Sequence, residues 1–152
     1  MLNTPRYDHN ALKVMATALL NASGMESSKS DIIADVLIEG DLLGHNTHGL
    51  QLLGPYLQDI ESGTMATTGE PRVICDLPAA IAWDGNRLPG TWLTSKALDL
   101  AMERARVNGT CTVTIARGHH IACLAAYLLR ATSNGMMAII MSSAPENQSV
   151  AP

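Results

Sequence analysis

Phenylalanine is absent from this 152-residue chain, and only two tryptophans and three tyrosines stand in for it. A core without large rings must be filled by Leu, Ile, Val, Ala and the eight methionines, leaving few stacking platforms for flat ligands. Positive charge is scarce as well. Ten Lys and Arg against fourteen Asp and Glu give a formal charge of -4, which argues against a nucleic-acid-binding face. No apolar run approaches the ~20 residues needed to cross a bilayer, and the polar start from Met1 to Asp8 has no signal-peptide h-region. These absences point to a soluble, cytoplasmic chain with neither membrane nor nucleic acid as partner. Cys75, Cys111 and Cys123 make no C-x-x-C pair, so a disulfide framework or zinc knuckle is excluded and three buried thiols are expected. The sequence also has no G-x-G-x-x-G and no P-loop.

What is present reads as α/β. Residues 1–63 are helical. Asp8 can cap a helix with Leu12, Met15, Ala16 and Leu19 on one face, ended by Gly24. Ser28 and Asp31 resemble a capping box for a second helix with Ile32, Val36 and Leu43 inward, closed by Gly44. A third begins at Thr47, carries Leu50, Leu53, Leu57 and Ile60, and bends at Pro55. After a Thr/Gly/Pro-rich linker at 64–71, residues 72–152 change character. Strands are expected at 72–76, 79–83 and 110–115, with helices at 92–107 and 121–132. The run Met136–Met141 reads as a strand buried on both faces. The helix–strand alternation implies a βαβ unit in a mixed, mostly parallel sheet with crossover helices. The stretch Ala144–Pro152 is a loop with no following element, so the chain reads as cut short.

Histidine is concentrated in two segments. His45 and His48 flank the start of the third helix, and Arg117-Gly118-His119-His120 follows the 110–115 strand. Ligands in open α/β sheets sit beyond the carboxyl ends of strands, so the second segment lies where a site belongs. An imidazole suits proton exchange with an alcohol or a carbonyl. The plainer readings are a helix cap for His45 and a solvated charge for Arg117. A different chemistry also fits the composition: His45, His48, His119 and His120 as ligands of a metal-binding or metal-dependent hydrolase domain.

The segment Glu39-Gly40-Asp41-Leu42-Leu43-Gly44-His45-Asn46-Thr47-His48-Gly49-Leu50, with Tyr56 and Gly63 after it, resembles the malate/L-lactate dehydrogenase family and its A-D-x-x-G-x-x-S-H-G motif. The likeness continues through Trp83-Asp84-Gly85, Arg117-Gly118-His119-His120, Gly135-Met136-Met137-Ala138-Ile139 and Ser149-Val150-Ala151-Pro152. It implies a non-Rossmann, L-sulfolactate dehydrogenase-like fold, which accounts for the missing glycine fingerprint. It also implies a homodimeric oxidoreductase that uses NAD or NADP on 2-hydroxy or 2-keto acids.

On the same resemblance His48 is the acid/base, His120 lies near the substrate, and Thr47, in place of the common Ser, keeps a hydroxyl at the substrate. His120 and Ser142 lie at the cofactor, and no metal is implied. Two departures stand out. Many members carry Arg four residues after the catalytic His, where this chain has Leu52, and an aliphatic chain cannot replace a guanidinium. Arg117 is the cation left to meet a substrate carboxylate. Family members are also more than twice as long, so the resemblance implies an N-terminal portion. A third reading is a dimerisation fragment that keeps the fold without the chemistry.

Overall fold

The computed structural model describes residues 6–143. The expected loop at 144–152, and with it the Ser149–Pro152 likeness, lies outside the described residues. Helix α1 spans His9–Ala22, and Asp8 caps it by accepting from the Ala11 N–H at 2.8 Å. Its inward face is turned from the expected one: Ala16 and Leu20 are buried, whereas Met15 and Leu19 stay largely exposed. Helix α2 spans Ser27–Leu42 and has no side-chain cap. The Ser28 hydroxyl instead donates to Glu26, which also takes the Lys29 ammonium at 2.6 Å. Lys29 is buried, and its ammonium lies 4.3 Å from the ring of Trp92, so carboxylate and π-face together offset its desolvation. Ile33, Ala34 and Leu37 are fully enclosed. Helix α2 is a central helix, with apolar contact wider than the single face its spacing suggested.

The third helix is shorter than its pattern. Two 3-10 turns, Asn46–His48 and Leu50–Leu52, precede helix α3 at Leu53–Glu61. Pro55 has no N–H to give to the carbonyl of Gln51, so regular α-helical bonding cannot extend back through it. Leu53 and Tyr56 are buried on α3.

Strands β1 (Arg72–Leu77) and β2 (Ala80–Asp84) form a tight antiparallel hairpin with a register slip between Val73 and Cys75. Helix α4 (Gly90–Asn108) carries the chain to β3 (Thr112–Ala116), which pairs parallel to β2. The sheet order is β1-β2-β3, so the mixed sheet has one ladder of each kind. After β3 comes a loop, a 3-10 turn at Leu124–Tyr127 and the short helix α5 at Leu128–Thr132, where a single helix over 121–132 was expected. The largest core cluster unites Ala16, Leu37 and Tyr56 from the first region with Leu98, Met102, Tyr127 and Ala131 from the second. Of the thiols expected to be buried only Cys123 is; Cys111 is half-buried and Cys75 is exposed on β1.

The run Met136–Met141 is not a ladder strand. Met136, Ala138 and Ile140 pack on the main core, while Met137, Ile139 and Met141 are 85%, 76% and 85% exposed. The segment therefore keeps the period-two alternation of an extended chain, but neither edge strand pairs with it. Burial on both faces is corrected to burial on one. Among the described residues no helix is long and apolar enough to cross a membrane.

An unpaired extended segment with three large apolar side chains in water is a template for association. The 152-residue chain is expected to sediment well above the mass of a single copy. Ile139→Lys should return it toward monomer, and monomeric behaviour of the unaltered chain at micromolar concentration would overturn this.

Candidate active site

The first wall of the site is the turn that follows α2. Asp41, near the end of that helix, accepts the Leu50 N–H at 2.8 Å and so holds the start of the second 3-10 turn. A Cβ on Gly49 would sit 2.1 Å from that carboxylate, which is why the position between His48 and Leu50 takes glycine. The turn presents His48 half-buried, with the Thr47 hydroxyl 2.9 Å from its Nδ1. Both motif residues thus act together. His45 stays exposed and supplies the carbonyl that accepts the His48 N–H at 2.8 Å, the structural role of a cap.

The second wall is the loop after β3. Arg117 adopts a left-handed conformation (φ 53), as does Ala122 (φ 56). The loop is fastened to residues 85–88 by main-chain bonds: Gly85 N–H to Ala116 O, Arg87 N–H to Arg117 O, and His119 N–H to Leu88 O. A Cβ on Gly85 would fall 3.0 Å from the Cα of Gly118, so the two backbones meet directly. Beneath them Asp84 is buried and accepts from Arg117 Nε, Arg117 Nη2, Arg72 Nη2 and the Asn86 N–H. Two guanidiniums share one carboxylate, so the trio keeps a net positive charge. Both guanidinium side chains are about two-thirds exposed.

These walls meet at Tyr56 of α3. Its hydroxyl lies 3.2 Å from both the Nδ1 and the carbonyl oxygen of His120. The Ala122 N–H also donates to His120 Nδ1, at 3.1 Å. The rings of His48 and His120 stack, with centroids 5.7 Å apart and 29° between planes. His119 turns the other way: its Nε2 lies 3.5 Å from Asp59, and its ring meets Tyr56 edge-on. Burial lowers the pKa of His119, against the pull of Asp59. Burial also lowers that of His120, helped by the neighbouring His48 and His119. The Tyr56 phenol is pushed up by burial and by Asp59, so it remains a donor.

The structure thus brings Thr47, His48 and His120 together. Ser142 lies exposed in the extended segment and, among the described residues, bonds to neither imidazole. Leu52 is half-buried against the main core. Two groups escaped the sequence reading in their present roles. Tyr56 sits in an apolar helical face, where its hydroxyl alone signals a need for a buried partner. Asp84 stands out in the sequence only within the Trp83-Asp84-Gly85 likeness, and its burial arises where β2 and β3 pair. Among the described residues no three His, Cys, Asp or Glu side chains converge as metal ligands would, so the four-histidine alternative is not favoured.

The Asp84 cluster has a stability consequence. Its guanidinium and amide donors hold the carboxyl well below the usual carboxylate range. The unfolded chain, with an ordinary value of about 3.9, binds the proton more readily, so the cluster's stabilisation is complete above that pH. It is lost as pH falls through the lower folded value. Asp84→Asn and Arg117→Ala should therefore both lower Tm at neutral pH, and the gap from the parent should narrow in acid. A gap that is constant from pH 7 to pH 2 would show that the ion pair adds nothing.

Residues 7–152 match the malate/L-lactate dehydrogenase family. The chain is similar to hydroxycarboxylate dehydrogenase B of Escherichia coli, at 26% identity over 97% of this chain and 41% of that protein. It is also similar to malate/(S)-sulfolactate dehydrogenase of Methanothermus fervidus, at 31% identity over 82% of this chain and 37% of that protein. The fold superposes on malate dehydrogenase from Pyrococcus horikoshii with a TM-score of 0.85 and 27% identity, covering 89% of this chain and 39% of the other. The chain therefore spans about two-fifths of the length of these relatives. With that match running through both histidine walls, the chain belongs to the malate/L-lactate dehydrogenase family.

Proposed function

We propose that this chain forms the substrate-handling part of a cytoplasmic, NAD- or NADP-dependent oxidoreductase of 2-hydroxy and 2-keto acids. The observation that carries the reading is the stacked pair of His48 and His120, each held by its Nδ1 and each left with Nε2 for a ligand. The relatives' names support the substrate class, since malate, lactate and sulfolactate are all 2-hydroxy acids.

His48 takes the hydroxyl proton of the substrate at Nε2 during oxidation and returns it to the ketone oxygen in the reverse direction. Thr47 fixes the orientation of the His48 ring through Nδ1. A bound nicotinamide supplies the acceptor, or the donor, of the C2 hydride. His120 and Ser142 are the groups we assign beside it, and His120, exposed and with one unused nitrogen, is assigned to the substrate as well. Arg117 is assigned to the substrate carboxylate, drawing on the positive charge that Asp84 leaves uncompensated. The working form we propose is a homodimer.

The test uses the longest form of the protein that the gene encodes. His48→Gln should lower kcat by on the order of 10²–10⁴ with a much smaller change in KM, whereas His45→Gln should be mild. Undiminished kcat in purified His48→Gln would overturn the assignment. Arg117→Gln should raise KM for 2-keto acids, and a KM within about twofold of the parent, about 0.4 kcal/mol of binding, would remove Arg117 from the substrate site.

A further inference from the structure

Chains poor in aromatics have few to spare, yet two of the three tyrosines here grip one short stretch of backbone. The Tyr56 hydroxyl reaches the carbonyl of His120, and the Tyr127 hydroxyl donates to the carbonyl of Ile121 at 2.5 Å. Both phenols are buried. Between them the chain turns left-handed at Ala122, a conformation that L-residues other than Asn and Asp rarely adopt. Strain of this kind persists only where the surroundings over-determine it, and its position points to a purpose. The turn aims the Ala122 N–H at the Nδ1 of His120.

A backbone N–H can only donate. Nδ1 of His120 is therefore the acceptor, and the ring proton of the neutral imidazole is on Nε2. The Tyr56 hydroxyl, equidistant from Nδ1 and from the His120 carbonyl, donates to either without conflict. The opposite tautomer would set an N–H against the Ala122 N–H and leave that amide without its acceptor. The groups that face the ring are His48 from the α2–α3 turn, Tyr56 from α3 and His119 from its own loop. None of them is a carboxylate that would favour the cation.

We propose that Tyr56 and the Ala122 N–H lock His120 as a neutral Nε2–H imidazole, making it a fixed hydrogen-bond donor beside His48. Tyr56 is thereby a positioning residue that acts through His120. On the proposed function, on which this role rests, the two stacked imidazoles divide the work. His120 donates to the substrate oxygen throughout, and His48 alone gains and loses the proton. Lowering of the His120 pKa by burial agrees with this division.

The experiment is magic-angle-spinning NMR of the 152-residue chain with ¹⁵N-labelled histidine, a method that does not require a monomer; His120→Gln assigns the signal. At neutral pH the His120 ring should show a bare Nδ1 and a protonated Nε2. Tyr56→Phe should raise the minority Nδ1–H and cationic forms together about fivefold, the worth of one ordinary hydrogen bond. Tyr127→Phe, which removes a second buried hydroxyl that bonds to the Ile121 carbonyl and not to the His120 ring, should leave the tautomer ratio unchanged. A parent ring that is mainly Nδ1–H or cationic at pH 7 would overturn the proposal, whether or not the variants fold. A ratio unmoved by Tyr56→Phe would remove Tyr56 from it. The readout needs no substrate, so it stands apart from the kcat of His48→Gln, which tests the dehydrogenase reading itself.

Discussion

Everything at this site hangs from the main chain between Ala116 and Ala122. That stretch is left-handed at two non-glycine residues, Arg117 and Ala122, a state the isolated peptide would not hold. It is held by pairing with residues 85–88, by the buried Asp84 beneath Arg117, and by the hydroxyls of Tyr56 and Tyr127. Each restraint comes from a different element. The loop is consequently rigid without regular secondary structure, and it can offer His120 in a fixed pose to whatever lies against His48.

The helical region has the complementary task. The Gly-Asp and Thr-His-Gly stretches form one motif in the sequence, and they are one device in space. The carboxylate of Asp41 reaches across nine residues to Leu50 and tethers the turn that carries His48, and Gly49 leaves room for it. Helix α3 then spends its most buried side chain, Tyr56, on the opposite wall. A motif that spacing can only describe becomes a set of packing requirements.

The sequence made the element order largely legible because most elements carry local signals. Asp8 caps α1, β1 and β2 lie on the runs expected at 72–76 and 79–83, and α4 ends within one residue of the expected 107. It misjudged features that depend on distant partners. Leu19 carries the α1 pattern yet lies off the contact face, because α1 enters the main core along Ala16 and Leu20. Met136–Met141 has the composition of an interior strand, but a ladder needs a neighbour and the described residues provide none. At the site, His48 and His120 were visible as histidines beside glycines. Their stacking, and the use of Tyr56 between them, were not, since no local rule links positions 64 residues apart.

That separation bears on how the molecule acquires its shape. The α1–α2 pair and the β1–β2 hairpin are made of near neighbours in sequence, and such structures close quickly. The Tyr56–His120 contact must instead close a long loop, and it is useful only once α4 has carried β3 into place beside β2. The paired imidazoles therefore cannot come together before that docking. A nascent chain that has made its helices and its hairpin still has two unacquainted histidines, and they meet only when the two ends of that loop dock.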